Sequence, residues 1–115
     1  MSSPFTGLLG QLIRHRGVSG CLVVGERDGM IVEANLQIGV NGNAFAALSS
    51  SLYRKARRSA LAAGFGEAGF FELTAEAGRV CAVGRNDLVL IVIAEPTVNV
   101  GLIRVEMLKA MELFA

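Results

Sequence analysis

The side chains able to do chemistry in this chain of 115 residues are few and scattered. The one histidine, His15, falls between Arg14 and Arg16, and catalysis would need a nucleophile and a base within hydrogen-bond reach of each other. At the polar end of a helix it reads as a surface residue favoured by the helix dipole. Cys21 and Cys81 lie inside apolar, strand-like stretches, with no neighbouring His or second Cys at metal-ligand spacing. Nothing beside either of them would lower a thiol pKa. Both read as reduced, buried core residues. The glycine cluster "GFGEAG" follows a helix and opens a strand, the reverse of a phosphate-binding loop, and lacks its Lys-Ser/Thr pair. The "NGNAF" stretch does precede a helix, whose amides could hold an anion, but Gly-Asn ahead of an N-cap is ordinary loop chemistry. The sequence therefore assigns no catalytic residue, no metal ligand and no cofactor, and the expected protein is not an enzyme.

One stretch does concentrate charge. "YRKARRSALAAG" places Arg54, Lys55, Arg57 and Arg58 within five positions, and no acid occurs from Ala44 to Gly64. With a net charge of +1 the chain has no long-range field to draw it to nucleic acid. Tyr53 is the only aromatic near the cations, so a stacking platform for single strands is missing. A helix lying on a membrane would carry bulky apolar residues opposite its cations, where this segment offers mostly alanine and serine. Contact with a protein fits best, with neither nucleic acid nor membrane insertion as a partner.

The elements that must position this stretch follow from composition and spacing. Hydrophobic residues make up 52% and charged residues 18%, a balance that belongs to packed globular proteins, and the length suits one domain spanning residues 1–115. The N-terminal stretch lacks the pattern of a secretory signal, which makes a cytoplasmic location the expectation. Phe5, Leu8, Leu9, Leu12 and Ile13 recur at helical spacing. "GCLVVGERDGMIVEAN" reads as a hairpin turning at Arg27-Asp28-Gly29. A second helix runs from Ala44 to Ala63, capped by Asn43 and stopped by Gly64. "FFELTAE", "GRVCAVG" and "LVLIVIAE" form a meander, and Asn99 opens a last helix presenting Leu102, Ile103, Met107 and either Val105 or Met111 to the core. The fold class is α+β, ordered α-β-β-α-β-β-β-α, a five-stranded antiparallel sheet with helices on both faces.

Two strands, "CLVV" and "LVLIVIA", are apolar at consecutive positions and belong in the middle of the sheet. "FFELTAE" alternates, as an edge strand covered on one face does, and carries little protection against pairing with another chain. That strand is expected to pair with its own copy in a homodimer.

The stretches "GVSGCLVVGERDGMIVEAN" and "GRVCAVGRNDLVLIVIAEPTVNVGLIRVEMLKAM" resemble the Roadblock family of dynein light chains and bacterial small-GTPase regulators, over nearly the whole chain. The resemblance implies a profilin-like or longin-like fold and a homodimer joined through third strands. It also implies association with Ras-like small GTPases as regulator, GTPase-activating protein or scaffold, with no chemistry of its own.

At about 100° per residue, Phe45, Leu48, Leu52, Ala56, Ala60 and Ala63 gather on one face of the second helix, expected to pack on the sheet. Arg54, Arg57 and Arg58 then point away from it together with Leu61, and these four residues are the expected GTPase-docking face. Phe70, Phe71, Glu72, Leu73 and Thr74 are expected at the dimer seam, with Ser49, Ser59 and Ala60 permitting close approach of a second helix. The alternative reading is a small-molecule sensor or general assembly scaffold of the same fold.

Overall fold

A computed structural model describes residues 3–115; Met1 and Ser2, counted in the domain above, lie outside the described residues. Helix α1 (Thr6–Leu12) leads into strands β1 (Val18–Gly25) and β2 (Ile31–Leu36). Helix α2 (Gly42–Ala62) is followed by β3 (Phe71–Ala75), β4 (Gly78–Arg85) and β5 (Leu88–Ala94). Helix α3 (Val100–Ala110) runs on into a 3₁₀ turn, Met111–Phe114. The strands form one sheet in the order β2-β1-β5-β4-β3, and every neighbouring pair is antiparallel. The doubly apolar β1 and β5 are interior and the alternating β3 is an edge, as their patterning predicts.

Because successive strand residues face opposite sides, the sheet builds two cores. Cys21, Val23, Cys81, Val83, Leu90 and Val92 face α1, α3 and the 3₁₀ turn, where Leu9, Leu12, Ile103, Met107 and Phe114 close over them. Leu22, Val24, Val80, Ala82, Val89 and Ile91 face α2 and meet Ala46 and Tyr53. Each fully buried aliphatic side chain contributes about 1.5–3 kcal/mol, so strands lined on both faces anchor both layers at once.

The two hairpin tips at one end of the sheet are tied together. The β1–β2 turn closes with Gly25 N–H donating to Met30 O at 2.9 Å, and Asp28 Oδ1 accepts from Met30 N–H at 2.9 Å. Gly29 adopts φ 68° there, and a Cβ would stand 2.8 Å from Ser50 Oγ, so the turn needs glycine for both conformation and room. The β4–β5 turn holds Asn86 at φ 55° and Asp87 at φ 64°, the left-handed pair of a type I′ hairpin. Glu26 N–H donates to Asp87 O at 2.9 Å and joins one tip to the other. Just past the first of these turns, on edge strand β2, Val32 is the extra residue of a β-bulge, between the pairs Val23 with Glu33 and Val24 with Ile31.

Helix α2 starts two residues earlier than its sequence suggests. Its N-cap is Asn41, whose Oδ1 accepts from Ala44 N–H at 3.1 Å, rather than Asn43. Gly42 lies hard against Leu36, whose Cδ1 would stand 2.7 Å from an added Cβ, so a larger residue at the first turn would have to push that side chain aside. At the other end Gly64 takes φ 79°, Gly64 N–H donates to Leu61 O, and Phe65 N–H donates to Ala60 O, a Schellman termination. The cap of α3 is the expected one, with Asn99 Oδ1 accepting from Leu102 N–H at 3.1 Å. That helix buries Ile103, Met107 and Ala110, with Met111 packed on the same core. Leu102 and Val105 instead face outward, because the inward stripe runs one position round from the expected one.

Candidate docking surface on the second helix

The face of α2 that lies on the sheet is built from Ala46, Ser49, Ser50 and Tyr53, with Arg57 one turn further along the same ridge. The expected stripe of Phe45, Leu48, Leu52, Ala56, Ala60 and Ala63 is displaced by about 100° round the helix, although Phe45 still packs, partly buried, against this core. The reason is distance. Small residues let α2 settle against the β1–β2 turn, where Gly29 and Ser50 nearly touch. Tyr53, 2% exposed, reaches Gly84, where a Cβ would lie 2.7 Å from the phenol ring. Its hydroxyl donates to Gly84 O at 3.5 Å, and burial raises its pKa.

Two of the four cations are consumed by contacts within the chain. Arg57 does not face away from the sheet: its Nε donates to Glu26 Oε1 at 2.6 Å and its Nη2 to Glu26 Oε2 at 2.9 Å, with Glu26 only 7% exposed. The hydrogen bonds to Glu26 raise the Arg57 pKa further above its ordinary value. Such a paired fork is the strongest form of guanidinium–carboxylate contact. Arg54 donates from Nη1 to the backbone oxygens of Glu26 at 2.9 Å and Arg27 at 2.6 Å, pinning the same turn. Beside this ion pair a polar cleft of about 440 Å³ opens between Glu67, Arg85 and Asp87. Lys55 and Arg58 are exposed, and with Ser51 and Ser59 they edge a shallow cationic groove that Arg54 also lines. Leu61 is exposed near the helix end, and Phe65, at the position that usually packs back on a Schellman turn, is 85% exposed. The outward surface of α2 is thus Lys55, Arg58, Leu61 and Phe65, with Arg54 at its margin.

The displaced apolar stripe has its own surroundings. Phe45 and Leu48 line an apolar cleft of about 460 Å³ together with Leu73, Val80 and Ile93. The stripe therefore looks along the sheet toward edge strand β3, on the flank opposite the one that Arg54 fastens to the β1–β2 turn. Phe71 and Leu73 of β3 face this layer. Glu72 and Thr74 face the other, where Arg79 Nη1 donates to Glu72 Oε2 at 2.9 Å and Thr74 Oγ1 donates to the same atom at 2.9 Å. Phe70 lies under the Arg104 guanidinium, 5.4 Å from the ring centroid. Of the small residues expected to admit a second helix, Ser59 and Ala60 are accessible. Ser49, 1% exposed, is turned onto its own sheet and presents nothing to a neighbour.

Neither thiol is poised for reaction. Burial pushes Cys21 up to about 12, and Cys81 rises to about 11, mainly through burial with Glu72 adding to it. Cys21 Sγ–H donates to Leu9 O at 3.4 Å. Among the described residues, no group of three or more His, Cys, Asp or Glu is placed to hold a metal ion, and no helix is long and apolar enough to cross a membrane.

The residues that sequence reasoning missed are Glu26, Tyr53 and Phe65. Glu26 and Arg57 stand 31 positions apart, beyond any local pattern. The i, i+4 spacing of Tyr53 and Arg57, continuing from Ala46, Ser49 and Ser50, was the available signal for the true inner ridge.

Two relatives from the archaeon Methanocaldococcus jannaschii match most of this chain. The protein MJ1340 is 30% identical over 102 residues, covering 89% of each chain. MJ0310 is 30% identical over 100 residues, covering 87% of each. The chain belongs to the family of these archaeal proteins. No protein-family model matches it. The fold of this chain is that of the Roadblock/LC7 domain, as the resemblance implies. The Roadblock/LC7 domain from Streptomyces avermitilis superposes with a TM-score of 0.81 at 17% identity, covering 94% of both chains. The gliding protein MglB from Thermus thermophilus superposes with a TM-score of 0.82 at 14% identity, covering 100% of this chain and 90% of its own.

Proposed function

We propose that this protein is a non-catalytic, homodimeric module of the cytoplasm that binds a Ras-like small GTPase and regulates or scaffolds it. The observation that carries the reading is the division of α2 into three faces with separate duties. The inner ridge holds the sheet, the apolar flank of Phe45, Leu48, Leu52 and Ala56 looks past β3, and the cationic outer face stays open. A helix serving only its own sheet would turn its largest apolar residues inward.

A second copy paired along β3 would extend the sheet and cover the apolar cleft, with Phe70 to Thr74 at the seam and Ser59 and Ala60 beside the neighbouring helix. Two α2 helices would then lie side by side and present one continuous surface of Lys55, Arg58, Leu61 and Phe65, with Arg54 and Arg57 supporting it from below. Its single sign of charge suits an acidic patch on the GTPase. The shared fold with Roadblock/LC7 and MglB structures supports the partner class. The apolar cleft also favours the small-molecule alternative, since a ligand of that volume would fill it; native mass spectrometry would then retain a bound metabolite on the purified protein.

The test is binding to a panel of Ras-like GTPases loaded with a GTP analogue, read by calorimetry, with GTP hydrolysis measured alongside. Lys55→Glu with Arg58→Glu should weaken binding by at least tenfold while leaving mass and unfolding midpoint unchanged. Equal binding by this variant would overturn the docking face, and Leu73→Arg should halve the particle mass if β3 is the seam.

A further inference from the structure

The end of the sheet where the two hairpin tips are tied together holds a cleft that the docking face on α2 does not use. Its volume is about 440 Å³, inside the range of small-molecule sites, roughly 300–1,000 Å³. Tyr53, Gly84 and Leu88 line it together with the Glu26–Arg57 pair, and Glu67 and Asp87 stand at its exposed rim. Glu26 and Tyr53 are 7% and 2% exposed, so the polar part of the floor is built from side chains that the fold itself holds in place.

The groups left uncommitted in this cleft are all acceptors. Arg57 is closed by both oxygens of Glu26. Arg85 shares the side of β4 that carries Val83, toward the α3 layer, and its Nη1 reaches Met111 O at 3.5 Å. Asn86 Nδ2 donates to Phe114 O on the same 3₁₀ turn. That leaves the carboxylates of Glu67 and Asp87, neither of which has an ion-pair partner among the described residues. The Tyr53 hydroxyl completes the set. Its contact with Gly84 O is 3.5 Å long, beyond the roughly 2.5–3.0 Å of an O–H···O bond, and among the described residues nothing donates to its lone pairs. Burial is the largest cause of its raised pKa, and the charges of Glu26 and Glu67 add to the rise. A buried oxygen without a donor is costly, and the partner missing here is a donor that carries positive charge.

A metal ion fits poorly, because among the described residues no three His, Cys, Asp or Glu side chains converge to hold one, and calcium takes six or more oxygen ligands. An ammonium or guanidinium instead offers several N–H donors, and its carbon stem suits a cleft that Ala68, Leu88 and the Tyr53 ring also line. We propose that this cleft binds an organic cation, an ammonium or guanidinium group on a short carbon stem, with Glu67 and Asp87 at the rim and the Tyr53 hydroxyl beneath. A bound cation joins the connection between α2 and β3 to the β4–β5 turn. The same chemistry is carried by a free amine and by a lysine or arginine of a partner protein.

Calorimetry on the full chain separates these sources with two probes. One is agmatine, a guanidinium and an ammonium on a four-carbon stem; the other is an N-acetylated, C-amidated glycine pentapeptide with one central arginine. Binding of agmatine alone supports a free amine, and peptide binding of equal or greater strength supports a partner's side chain. Failure of both probes to bind at millimolar concentration overturns the proposal, as does tighter binding of inorganic phosphate. Glu67→Gln with Asp87→Asn should weaken the bound probe by about tenfold or more without lowering the unfolding midpoint, and unchanged affinity overturns the proposal. Asp87→Gly divides the site from the fold most sharply. It should weaken binding while raising the thermal midpoint, because Asp87 holds a left-handed turn position that favours glycine. Full affinity in that variant also overturns the proposal. Lys55 and Arg58 take no part in these measurements, so this idea and the GTPase reading can fail separately.

Discussion

Helices α2 and α3 cover opposite faces of one sheet, and each leaves large apolar residues outside, yet the two outer surfaces are built differently. On α2 the charges are all positive and the large apolar residues lie to one side, toward β3. On α3 and its 3₁₀ turn, by contrast, Arg104 and Lys109 are balanced by Glu106 and Glu112, with exposed leucines and a valine among them. A surface of one sign favours a partner of opposite charge, while a surface of mixed sign carries no such preference. Net charge, at +1 for the whole chain, hides this contrast completely.

The largest expected effect tests which cations of α2 are available at all. Arg57→Ala leaves Glu26 buried without its partner and should destabilise the fold by about 3 kcal/mol, since removing one member of a buried pair strands the other charge. Arg58→Ala should stay within about 0.5 kcal/mol, as exposed substitutions do. Urea unfolding followed by circular dichroism measures both, and equal losses would break the division between supporting and exposed arginines.

A second test separates the two layers, because Cys21 and Cys81 both lie on the α3 side of the sheet. Their folded-state pKa values, about 12 and about 11, stand above the ordinary thiol value of 9.0. The folded protein therefore holds these protons more tightly than the unfolded chain. Their stabilising contribution is complete below pH 9 and is lost as pH rises through 11 to 12. Thiol labelling at pH 8 should be slow and limited by opening of the fold, and the unfolding midpoint should fall steadily above pH 9. Prompt labelling at pH 8 would mean that the α3 layer opens by itself.

Smaller gains are expected where the backbone alone decides. Gly10→Ala on α1, where the new methyl meets nothing, should stabilise the protein by about 0.5–1 kcal/mol from helix propensity. Asp87→Gly should add about 0.5 kcal/mol by relieving a left-handed turn position that favours glycine, with a raised thermal midpoint as the readout.

Much of the fold was legible because it is written locally. Consecutive apolar residues marked β1 and β5 as interior, alternation marked β3 as an edge, and Gly64 and Asn99 marked a helix end and a helix start. The orientation of α2 was not legible, because hydrophobicity measures what a side chain prefers to touch and not which molecule supplies it. Leu48 and Leu52 are apolar toward the open flank, while serines and a paired arginine occupy the inner ridge. Glu26 carried no local sign of its role, since its partner comes from another element. The same confusion of inward with outward moved Leu102 and Val105 into the expected core of α3.

The fastening of Arg54 to the β1–β2 turn, and of that turn to the β4–β5 turn, has a thermodynamic consequence for recognition. Binding loses affinity to whatever freedom a surface must surrender. Here the helix, two loops and two strands' ends are already joined before any partner arrives. A GTPase meeting α2 would find a platform whose entropy was lost during folding, leaving only the side chains of Lys55, Arg58, Leu61 and Phe65 to be ordered on contact.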